Sequence, residues 1–518
     1  MPTLILAHDL GTTGNKATLY DAEGQLVASA FAPYETQHLG QNRVEQDPRD
    51  WWRAVVDSTR RLLADASAGD IACVSFSGQM MGCVAVDGCG EVLRPAIIWA
   101  DQRAQAQADF LAERVGAERV YEITGHRLGP SYSIEKVMWL RDHELDTFAQ
   151  ADCFLQAKDY VVLRLTGACV TDYSDASGSN AFDLRAREWS DEILEAAGID
   201  RALLPEPHSS TDVVGEVLPG PAEECGLRAG TPVVIGGGDG SCAAVGAGSV
   251  REGNAYNYVG SSSWIALATR EPLLHPEHRT VTFAHLVPDL YMPAGTTQAA
   301  GACYQWFRNM LCTEEMRAAE AEGIDVYDFL NALASTVAPG CEGLIFLPYL
   351  MGERSPHWNP HARGAFIGLT PSHTKAHLCR AVLEGVALNL RLVLDLFRKS
   401  GGPDPAARDA ASPDGLRIES MRVIGGGAKG ELWRQIMADA YGMPVLLPAN
   451  LEEATSIGAA VAGGVGVGLF KDFGVAEEIA TVTERRDPDP EAQAAYEALL
   501  PVFRGAYGGL VETFEGLV

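Results

Sequence analysis

The chain has no Cys-x-x-Cys pair, and its 11 cysteines are an odd number scattered along 518 residues. A disulfide framework or a structural zinc site needs paired cysteines at regular short spacings. The sequence therefore argues against both and predicts reduced thiols of the kind found in the cytosol. Because 47% of the residues are hydrophobic, the chain can form large cores without cross-links.

Basic residues are also scarce. Lys and Arg number 40 against 69 Asp and Glu, which gives a net charge of −29. Nucleic acids and anionic membranes attract clustered positive charge, so we expect neither as a partner. An anionic cofactor is compatible with this charge, since a loop of backbone N–H groups can bind phosphate even in an acidic protein.

Long apolar runs are missing as well. The longest weakly polar run, Ala459 to Phe470, is too short and too rich in Gly to span a membrane. No basic stretch precedes the first apolar run, as it would in a signal peptide. We therefore expect a cytoplasmic protein.

A hairpin pattern occurs twice in the sequence. The segment Leu4–Asp21, LILAHDLGTTGNKATLYD, has the pattern of strand, tight turn and strand. The segment Gly253–Thr269, GNAYNYVGSSSWIALAT, repeats it. Since a chain of this length exceeds what one core accommodates, we expect at least two domains. The repeat predicts an α/β fold with an N-terminal domain over 1–252 and a C-terminal domain over 253–518.

Glycine-rich turns follow several predicted strands, and each can present backbone N–H groups to an anion. These turns are Gly11–Gly14, Gly236–Gly240, Gly260–Ser263 and Gly425–Gly430. Any one of them alone is an ordinary turn. Together, with two of them in repeated hairpins, they favour a nucleotide held between two domains.

Three kinds of nucleotide site compete for these turns. A P-loop is excluded because no Gly-x-x-x-x-Gly-Lys-Ser/Thr occurs. A Rossmann site needs Gly-x-Gly-x-x-Gly and, about 20 residues later, an acid for the ribose. The candidate glycine patterns are Gly425, Gly427 and Gly430, and the variant Gly238, Gly240 and Ala243. That acid should stand at the end of the next strand, where the sequence is VLLPAN after Gly430 and AYNYVG after Gly240, and neither segment contains one. The remaining interpretation is an actin-like ATPase, in which hairpin turns hold the phosphates from both sides.

Two longer segments resemble the signatures of the FGGY carbohydrate kinases, which belong to the actin-like ATPase superfamily. Ser131–His143, SYSIEKVMWLRDH, fits the first signature, and Gly364–Glu384, GAFIGLTPSHTKAHLCRAVLE, fits the second. The segments LPYLMGERSPHWNPHARGAFIGLT and GGGAKGELWRQIMAD are most similar to the xylulokinase branch. The resemblance extends from Leu4 to about Gly466. It implies two RNase H-like domains with a catalytic cleft between them.

The resemblance implies ATP and Mg²⁺ as cofactors and assigns residues to them. Asp9 would lie beside the magnesium ion and the transferred phosphate, and Asp239 would be the catalytic base and a second metal ligand. The residues implied for ATP are Gly11, Thr12, Thr13, Gly260, Ser261, Gly301, Gln305, Gly426 and Gly427. A base is needed because a sugar hydroxyl attacks poorly unless a carboxylate accepts its proton. Without the resemblance, Asp239 is equally well a turn-capping aspartate.

The resemblance places the sugar against the segments SGQMMG and IIWADQRA. The implied sugar contacts are Gln79, Met80, Met81, Trp99, Asp101, Arg103 and Asp239. The alternatives are core packing for Met80, Met81 and Trp99, and a surface pair for Asp101 and Arg103. Met81 departs from the family pattern, since xylulokinases usually carry His there. An apolar thioether at this position favours a less polar substrate, such as a deoxy-ketose or a shorter polyol.

We therefore expect an ATP-dependent kinase for a pentulose, with D-xylulose converted to D-xylulose 5-phosphate as the first candidate reaction. A kinase for another ketose, a deoxy-ketose or a polyol is the nearest alternative. A non-catalytic actin-like ATPase and a Rossmann oxidoreductase are more distant ones. The expected partner is the small-molecule sugar, and a homodimer is left open.

Overall fold

The computed structural model describes residues 3–40, 42–400, 417–449 and 452–517. The segment Gly401–Gly415, whose Pro, Asp and Ala content predicts a surface loop, lies outside these residues.

The first half of the chain alternates strands and helices. Its strands are β1 Leu4–Leu10, β2 Gly14–Tyr20, β3 Leu26–Pro33, β4 Gln37–His38, β5 Val44–Gln46, β6 Ile71–Gly78, β7 Val84–Val86, β8 Ala96–Ile97, β9 Cys153–Leu155, β10 Val170–Asp172, β11 Phe182–Asp183, β12 Glu188–Trp189, β13 Glu206–His208, β14 Val213–Glu216, β15 Pro232–Val234 and β16 Gly237–Gly238. Its helices are α1 Pro48–Leu62, α2 Gln105–Arg114, α3 Ala117–Thr124, α4 Ser133–His143, α5 Leu145–Gln150, α6 Ala157–Thr166, α7 Tyr173–Ser177, α8 Asp191–Ala197, α9 Pro219–Cys225 and α10 Asp239–Gly246.

The second half has longer helices. Its strands are β17 Ala255–Val259, β18 Ser263–Leu267, β19 Val281–Ala284, β20 Tyr291–Thr297, β21 Ile345–Leu347, β22 Ala365–Ile367, β23 Met421–Ile424, β24 Val445–Pro448 and β25 Val482–Arg486. Its helices are α11 Gly301–Leu311, α12 Thr313–Glu322, α13 Val326–Ser335, α14 Lys375–Ser400, α15 Glu431–Tyr441, α16 Ala454–Gly466, α17 Val475–Ile479, α18 Pro490–Gly508 and α19 Val511–Glu515.

The first half builds one mixed sheet in the order β14-β15-β6-β1-β2-β3, with β16 beside β6. Strand β1 pairs antiparallel with β2 and parallel with β6. It is buried along most of its length, as expected for a central strand covered on both faces. In the pairing, Asp9 lies opposite Ser77, and Ser77 also lies opposite Gly237. The carboxyl ends of β1, β6 and β16 therefore meet at one edge of the sheet.

The second half builds another mixed sheet, in the order β19-β20-β18-β17-β23-β24-β25. Both sheets share one arrangement around their hairpin. A third strand pairs antiparallel with the second strand of the hairpin, and two further strands lie parallel to its first strand on the other side. The shared orders are β3-β2-β1-β6-β15 and β20-β18-β17-β23-β24. This is the RNase H-like order, and the two-domain α/β fold predicted from the repeated hairpin is confirmed.

Helices α10 and α16 join the two halves. Helix α16 lies in sequence between β24 and β25 of the second sheet, yet its Ile457 and Val461 share a core with Ile5 of β1 and Val234 of β15. The domain boundary between 252 and 253 stays a prediction. Part of the chain beyond that boundary nevertheless packs on the first sheet.

Nine cysteines are free, as the sequence predicts. The sulfur atoms of Cys153 and Cys169 lie in bonding contact, so the expectation of unpaired thiols does not hold for this pair. The reason is local: helix α6 lies between β9 and the residue that precedes β10, and its two ends bring these cysteines together. Within the described residues, no helix is both long and apolar enough to cross a membrane.

Candidate active site

The turn between β1 and β2 is held in place by its carbonyl groups. The Tyr34 hydroxyl donates to the Gly11 carbonyl, the Tyr34 N–H donates to the Thr13 carbonyl at 3.2 Å, and Gln46 Nε2 donates to the Thr12 carbonyl at 2.7 Å. In the part of the chain that the structure describes, the N–H groups of Thr12 and Thr13 have no acceptor. The turn is therefore anchored from behind and offers two backbone donors, as an anion-binding turn does.

Asp9 lies at the end of β1, beneath this turn. Its Oδ2 accepts a hydrogen bond of 2.6 Å from Thr455 Oγ1 at the start of α16, and its Oδ1 is buried without a partner. Burial raises the pKa of Asp9 above its usual value. A buried carboxylate oxygen without a donor fits a divalent cation. Within residues 3–40, 42–400, 417–449 and 452–517, no group of three or more His, Cys, Asp or Glu side chains is arranged to hold a metal ion. A magnesium ion here would therefore take most of its ligands from phosphate oxygens and water.

Asp239 is the first residue of α10 and follows three glycines. Its Oδ1 accepts a hydrogen bond of 2.7 Å from the N–H of Gly240. Burial raises the pKa of Asp239 to about 7, and the charge of Asp9 adds to the effect. The structure thus brings the two predicted catalytic carboxylates to the same edge of the first sheet, near enough to influence one another.

The second hairpin turn lies at the start of helix α11. The N–H groups of Ala300 and Ala302 donate to the Ser261 carbonyl at 2.8 and 3.0 Å, and the N–H of Gly301 donates to the Gly260 carbonyl at 2.8 Å. A Cβ on Gly301 would lie 2.5 Å from that carbonyl oxygen, so only glycine fits there. Three of the residues predicted for ATP therefore form one unit.

The glycines after β23 pack against the same hairpin. Gly425 has φ of +85°, and a Cβ on Gly427 would lie 2.4 Å from Val259 Cγ1. A Cβ on Gly426 would meet nothing within 4 Å, so this residue borders open space. Gln305, the other residue predicted for the nucleotide, is exposed on α11.

An aromatic group that was not predicted from the sequence connects Asp239 with the second turn. The Tyr256 hydroxyl donates to the Gly240 carbonyl at 2.9 Å and accepts from Trp264 Nε1 at 2.8 Å. Tyr258 stacks on Trp264 with ring centroids 4.1 Å apart and lies against both Gly260 and Gly425. Strand periodicity could have indicated these residues in the sequence, since Tyr256 and Tyr258 are two positions apart and must face the same side of β17.

The predicted sugar contacts Gln79, Met80 and Met81 follow β6. Gln79 Nε2 donates to Gln46 Oε1 at 2.8 Å, which links it to the first turn, and its own Oε1 is buried without a partner. Met80 is buried and packs over the glycines before Asp239, since a Cβ on Gly238 would lie 2.6 Å from its Sδ. Met81 is partly buried at the margin of the same core.

The other sugar contacts differ from one another. Trp99 is 38% exposed and its Nε1 donates to Thr12 Oγ1 at 3.0 Å, so it borders the first turn and is not a core residue. Asp101 is buried, and its carboxylate accepts from Arg103 and from the N–H of Val44. Arg103 also bonds Glu45 at 2.8 Å. The surface-pair alternative is wrong for Asp101 and Arg103. A sugar contact for them stays a prediction, and their polar atoms already have partners within the protein.

Two neighbouring buried carboxylates, a hairpin turn with free backbone donors and two RNase H-like halves define a phosphotransferase of the actin-like ATPase fold. The first half matches the family model "FGGY family of carbohydrate kinases, N-terminal domain" over residues 4–246, and the second matches the corresponding C-terminal domain over residues 255–467. The chain belongs to the FGGY family of carbohydrate kinases. It is thus an enzyme, and the phosphoryl donor that its family implies is ATP.

Named relatives fall into two groups. The xylulose kinase of Escherichia coli (strain K12) is 33% identical over 508 residues, which cover 97% of this chain and 98% of that protein. The gluconokinase of Bacillus subtilis (strain 168) is 31% identical over 504 residues, with 97% and 95% covered. The structure of ligand-bound xylulose kinase from Lactobacillus acidophilus superposes with a TM-score of 0.89 at 27% identity and covers 99% of this chain and 100% of that chain. This chain is therefore similar to kinases of more than one sugar.

Proposed function

We propose that the protein transfers the terminal phosphoryl group of ATP to the terminal hydroxyl of a pentulose, with D-xylulose as the first candidate. The observation that supports this best is the placement of Asp239 beside Asp9 at the edge that carries the first turn. A pKa of about 7 suits a base that must be ionised near neutral pH yet accept a proton. Asp239 takes the hydroxyl proton while the sugar oxygen bonds the γ-phosphorus and the bond to the departing ADP breaks.

ATP, in this proposal, spans the two halves. The terminal phosphates lie between the turn of Gly11, Thr12 and Thr13 and the turn of Gly260 and Ser261. The nucleoside lies over the second half, and its predicted contacts are Gly301, Gln305, Gly426 and Gly427. The open space beside Gly426 supports this placement. Asp9, with Asp239 as a second ligand, would hold a magnesium ion, which would supply neutralising charge to the phosphates.

Gluconate is the second candidate substrate, because a gluconokinase is about as similar to this chain as the xylulose kinases are. A gluconate carboxylate needs a cationic partner. Arg103 is engaged by Asp101 and Glu45, and Lys136 donates to the carbonyls of Met81 and Ser131 at 2.6 and 2.5 Å. Because these two cations already have partners within the protein, they support a neutral sugar better than gluconate. A homodimer and a cytoplasmic location stay predictions.

The substrate is tested with a panel of ketoses, polyols and gluconate in a coupled assay of ADP release. We expect D-xylulose or a related pentulose to give the highest kcat/KM. ADP release that no sugar accelerates would instead favour the non-catalytic ATPase. Gluconate as the best substrate would replace the pentulose in the proposal while leaving the kinase assignment intact.

The base is tested with Asp239→Asn, which keeps the shape of the side chain and removes its ability to take a proton. We expect kcat to fall about 10²–10⁴-fold, or about 3–5 kcal/mol of barrier, with little change in nucleotide affinity. Asp87→Asn is the matched control, because Asp87 caps a turn through the N–H groups of Cys89 and Glu91. Turnover near wild type in Asp239→Asn would reduce Asp239 to a turn-capping residue.

A further inference from the structure

A buried charged group lies beneath the turn that carries Asp239. Lys158 Nζ contacts Asp159 Oδ1 at 2.6 Å, Asp172 Oδ1 at 2.9 Å and Asp175 Oδ2 at 3.1 Å, and none of these side chains is exposed. Burial alone would lower the pKa of Lys158, but the three carboxylates raise it well above its usual value. The group is costly to bury, and the catalytic steps described above make no use of it.

Asp172 extends this group toward the active site. Its Oδ2 accepts from the Ser174 N–H at 2.8 Å, from Ser174 Oγ at 2.5 Å and from Ser210 Oγ at 3.1 Å. Ser174 Oγ in turn accepts a hydrogen bond of 2.9 Å from the N–H of Gly238. A hydroxyl has one proton and two lone pairs. Since the proton goes to Asp172, a lone pair is left to face Gly238.

Gly238 immediately precedes Asp239, and the segment before the base consists of glycines. Such a segment has wide conformational freedom and does not fix the base by itself. Residues with a side chain, which would restrict this backbone, do not fit in place of these glycines. A Cβ on Gly237 would lie 2.9 Å from Ser174 Oγ, and one on Gly238 would lie 2.6 Å from Met80 Sδ. The position of this segment depends on its pairing with β6 and on the hydrogen bond that the Gly238 N–H donates to Ser174 Oγ.

We propose that Ser174, oriented by Asp172 and Lys158, is a positioning residue that fixes the backbone at Gly238 and so aims the carboxylate of Asp239 at the sugar hydroxyl. The inference rests on the proposed function, in which Asp239 is the base. Small displacements of a catalytic group reduce the rate much more than they reduce binding.

A double-mutant cycle between Ser174→Ala and Asp239→Asn tests this. We expect Ser174→Ala to lower kcat about tenfold or more while the KM for ATP and for sugar changes less than about threefold. In the Asp239→Asn background the same change should lower kcat by less than about twofold, because there is no base left to aim. Equal losses of kcat in both backgrounds would overturn the proposal, since they would show a role that does not act through Asp239.

Ser177→Ala is the matched control. Ser177 is equally buried in α7, and its Oγ donates to the Ser174 carbonyl and accepts from the N–H of Ala284, so the same number of hydrogen bonds is lost. It should leave kcat within about twofold of wild type. A loss in Ser177→Ala as large as that in Ser174→Ala would also contradict the proposal. If Ser174→Ala does not fold, Ser174→Cys, which keeps a weak donor and acceptor, enters the same cycle with the same criterion.

Failure of the proposed function is distinguishable from failure of this inference. Wild-type turnover in the Asp239→Asn variant would show that Asp239 is not the base, whatever the effect of changing Ser174. A large loss of kcat in Asp239→Asn together with an unchanged kcat in Ser174→Ala would contradict only the positioning role of Ser174.

Discussion

Met81 has a backbone conformation that few side chains adopt, with φ of 63°. Its carbonyl accepts a hydrogen bond of 2.6 Å from the buried Lys136, which lies in the segment that resembles the first family signature. Its side chain is partly buried against the same core as Tyr258, Trp264 and Trp358. The backbone of Met81 is thus held by its hydrogen bond from Lys136, so a change of its side chain should alter the pocket more than the fold.

Met81→His should change substrate preference. Histidine is among the residues that tolerate positive φ, and its ring nitrogen can bond a hydroxyl that a thioether cannot. Because a site that bonds a hydroxyl rejects analogues without it, kcat/KM for D-xylulose relative to a deoxy-ketose should rise about tenfold, or about 1.4 kcal/mol. Met81→Leu is the control and should keep the wild-type ratio. An unchanged ratio in Met81→His would mean that Met81 serves core packing.

Single residues were predictable from the sequence where a motif surrounds them. Asp9 and Asp239 were found in this way, although their roles stay predictions. The surface-pair alternative for Asp101 and Arg103 arose because their partners are far away in the sequence. Asp101 accepts from the N–H of Val44 and Arg103 bonds Glu45, and these contacts form only when β5 and β8 pair. Ser174 escaped notice for the same reason, since its contact with Gly238 joins two distant segments.

Helices α10 and α16 cross closely because a glycine of each helix lies against the backbone of the other. A Cβ on Gly246 would lie 1.8 Å from the Ala454 carbonyl oxygen, and one on Gly458 would lie 2.0 Å from the Cys242 carbonyl oxygen. The weakly polar run from Ala459, which is too short for a membrane span, begins in α16, and its residues up to Gly464 are buried against the first sheet. Its composition did not show which helix it would cross.

Gly458→Ala should destabilise the protein. The added methyl has no space, so the helices must separate, at a cost of about 1–3 kcal/mol in the free energy of unfolding. Since Thr455 of α16 bonds Asp9, kcat should fall as well. Gly505→Ala in α18 is the control, because a Cβ there meets nothing within 4 Å, and alanine favours a helix by up to about 1 kcal/mol. Denaturant unfolding measures both variants, and equal stability in the two would contradict close packing at Gly458.

The whole molecule carries one predicted phosphate turn on each sheet. Five strands follow the same order in both halves, so the repeated hairpin in the sequence indicated a second domain, and the family resemblance supplied the RNase H-like fold. The relative position of the halves was not predictable, because it depends on the α10–α16 crossing and on contacts such as Lys16 Nζ to Glu453 Oε2 at 2.9 Å. These contacts join the halves near Asp9 and leave the two turns on separate bodies.

Binding of both substrates should therefore bring the halves together. In the proposed complex each turn reaches the phosphates only from its own side, and closure around the ligands would exclude water from the transfer step. We expect X-ray scattering to show a smaller radius of gyration with D-xylulose plus a non-hydrolysable ATP analogue than with either ligand alone.

The Asp239→Asn variant with ATP and D-xylulose provides a second measurement, because slow turnover preserves the complex and the turns are unchanged. Replacing the nucleotide with NAD is the control and should leave the profile of the free protein. If saturating substrates leave the scattering profile unchanged in both proteins, the two turns must meet the nucleotide without domain movement, and closure plays no part in the reaction.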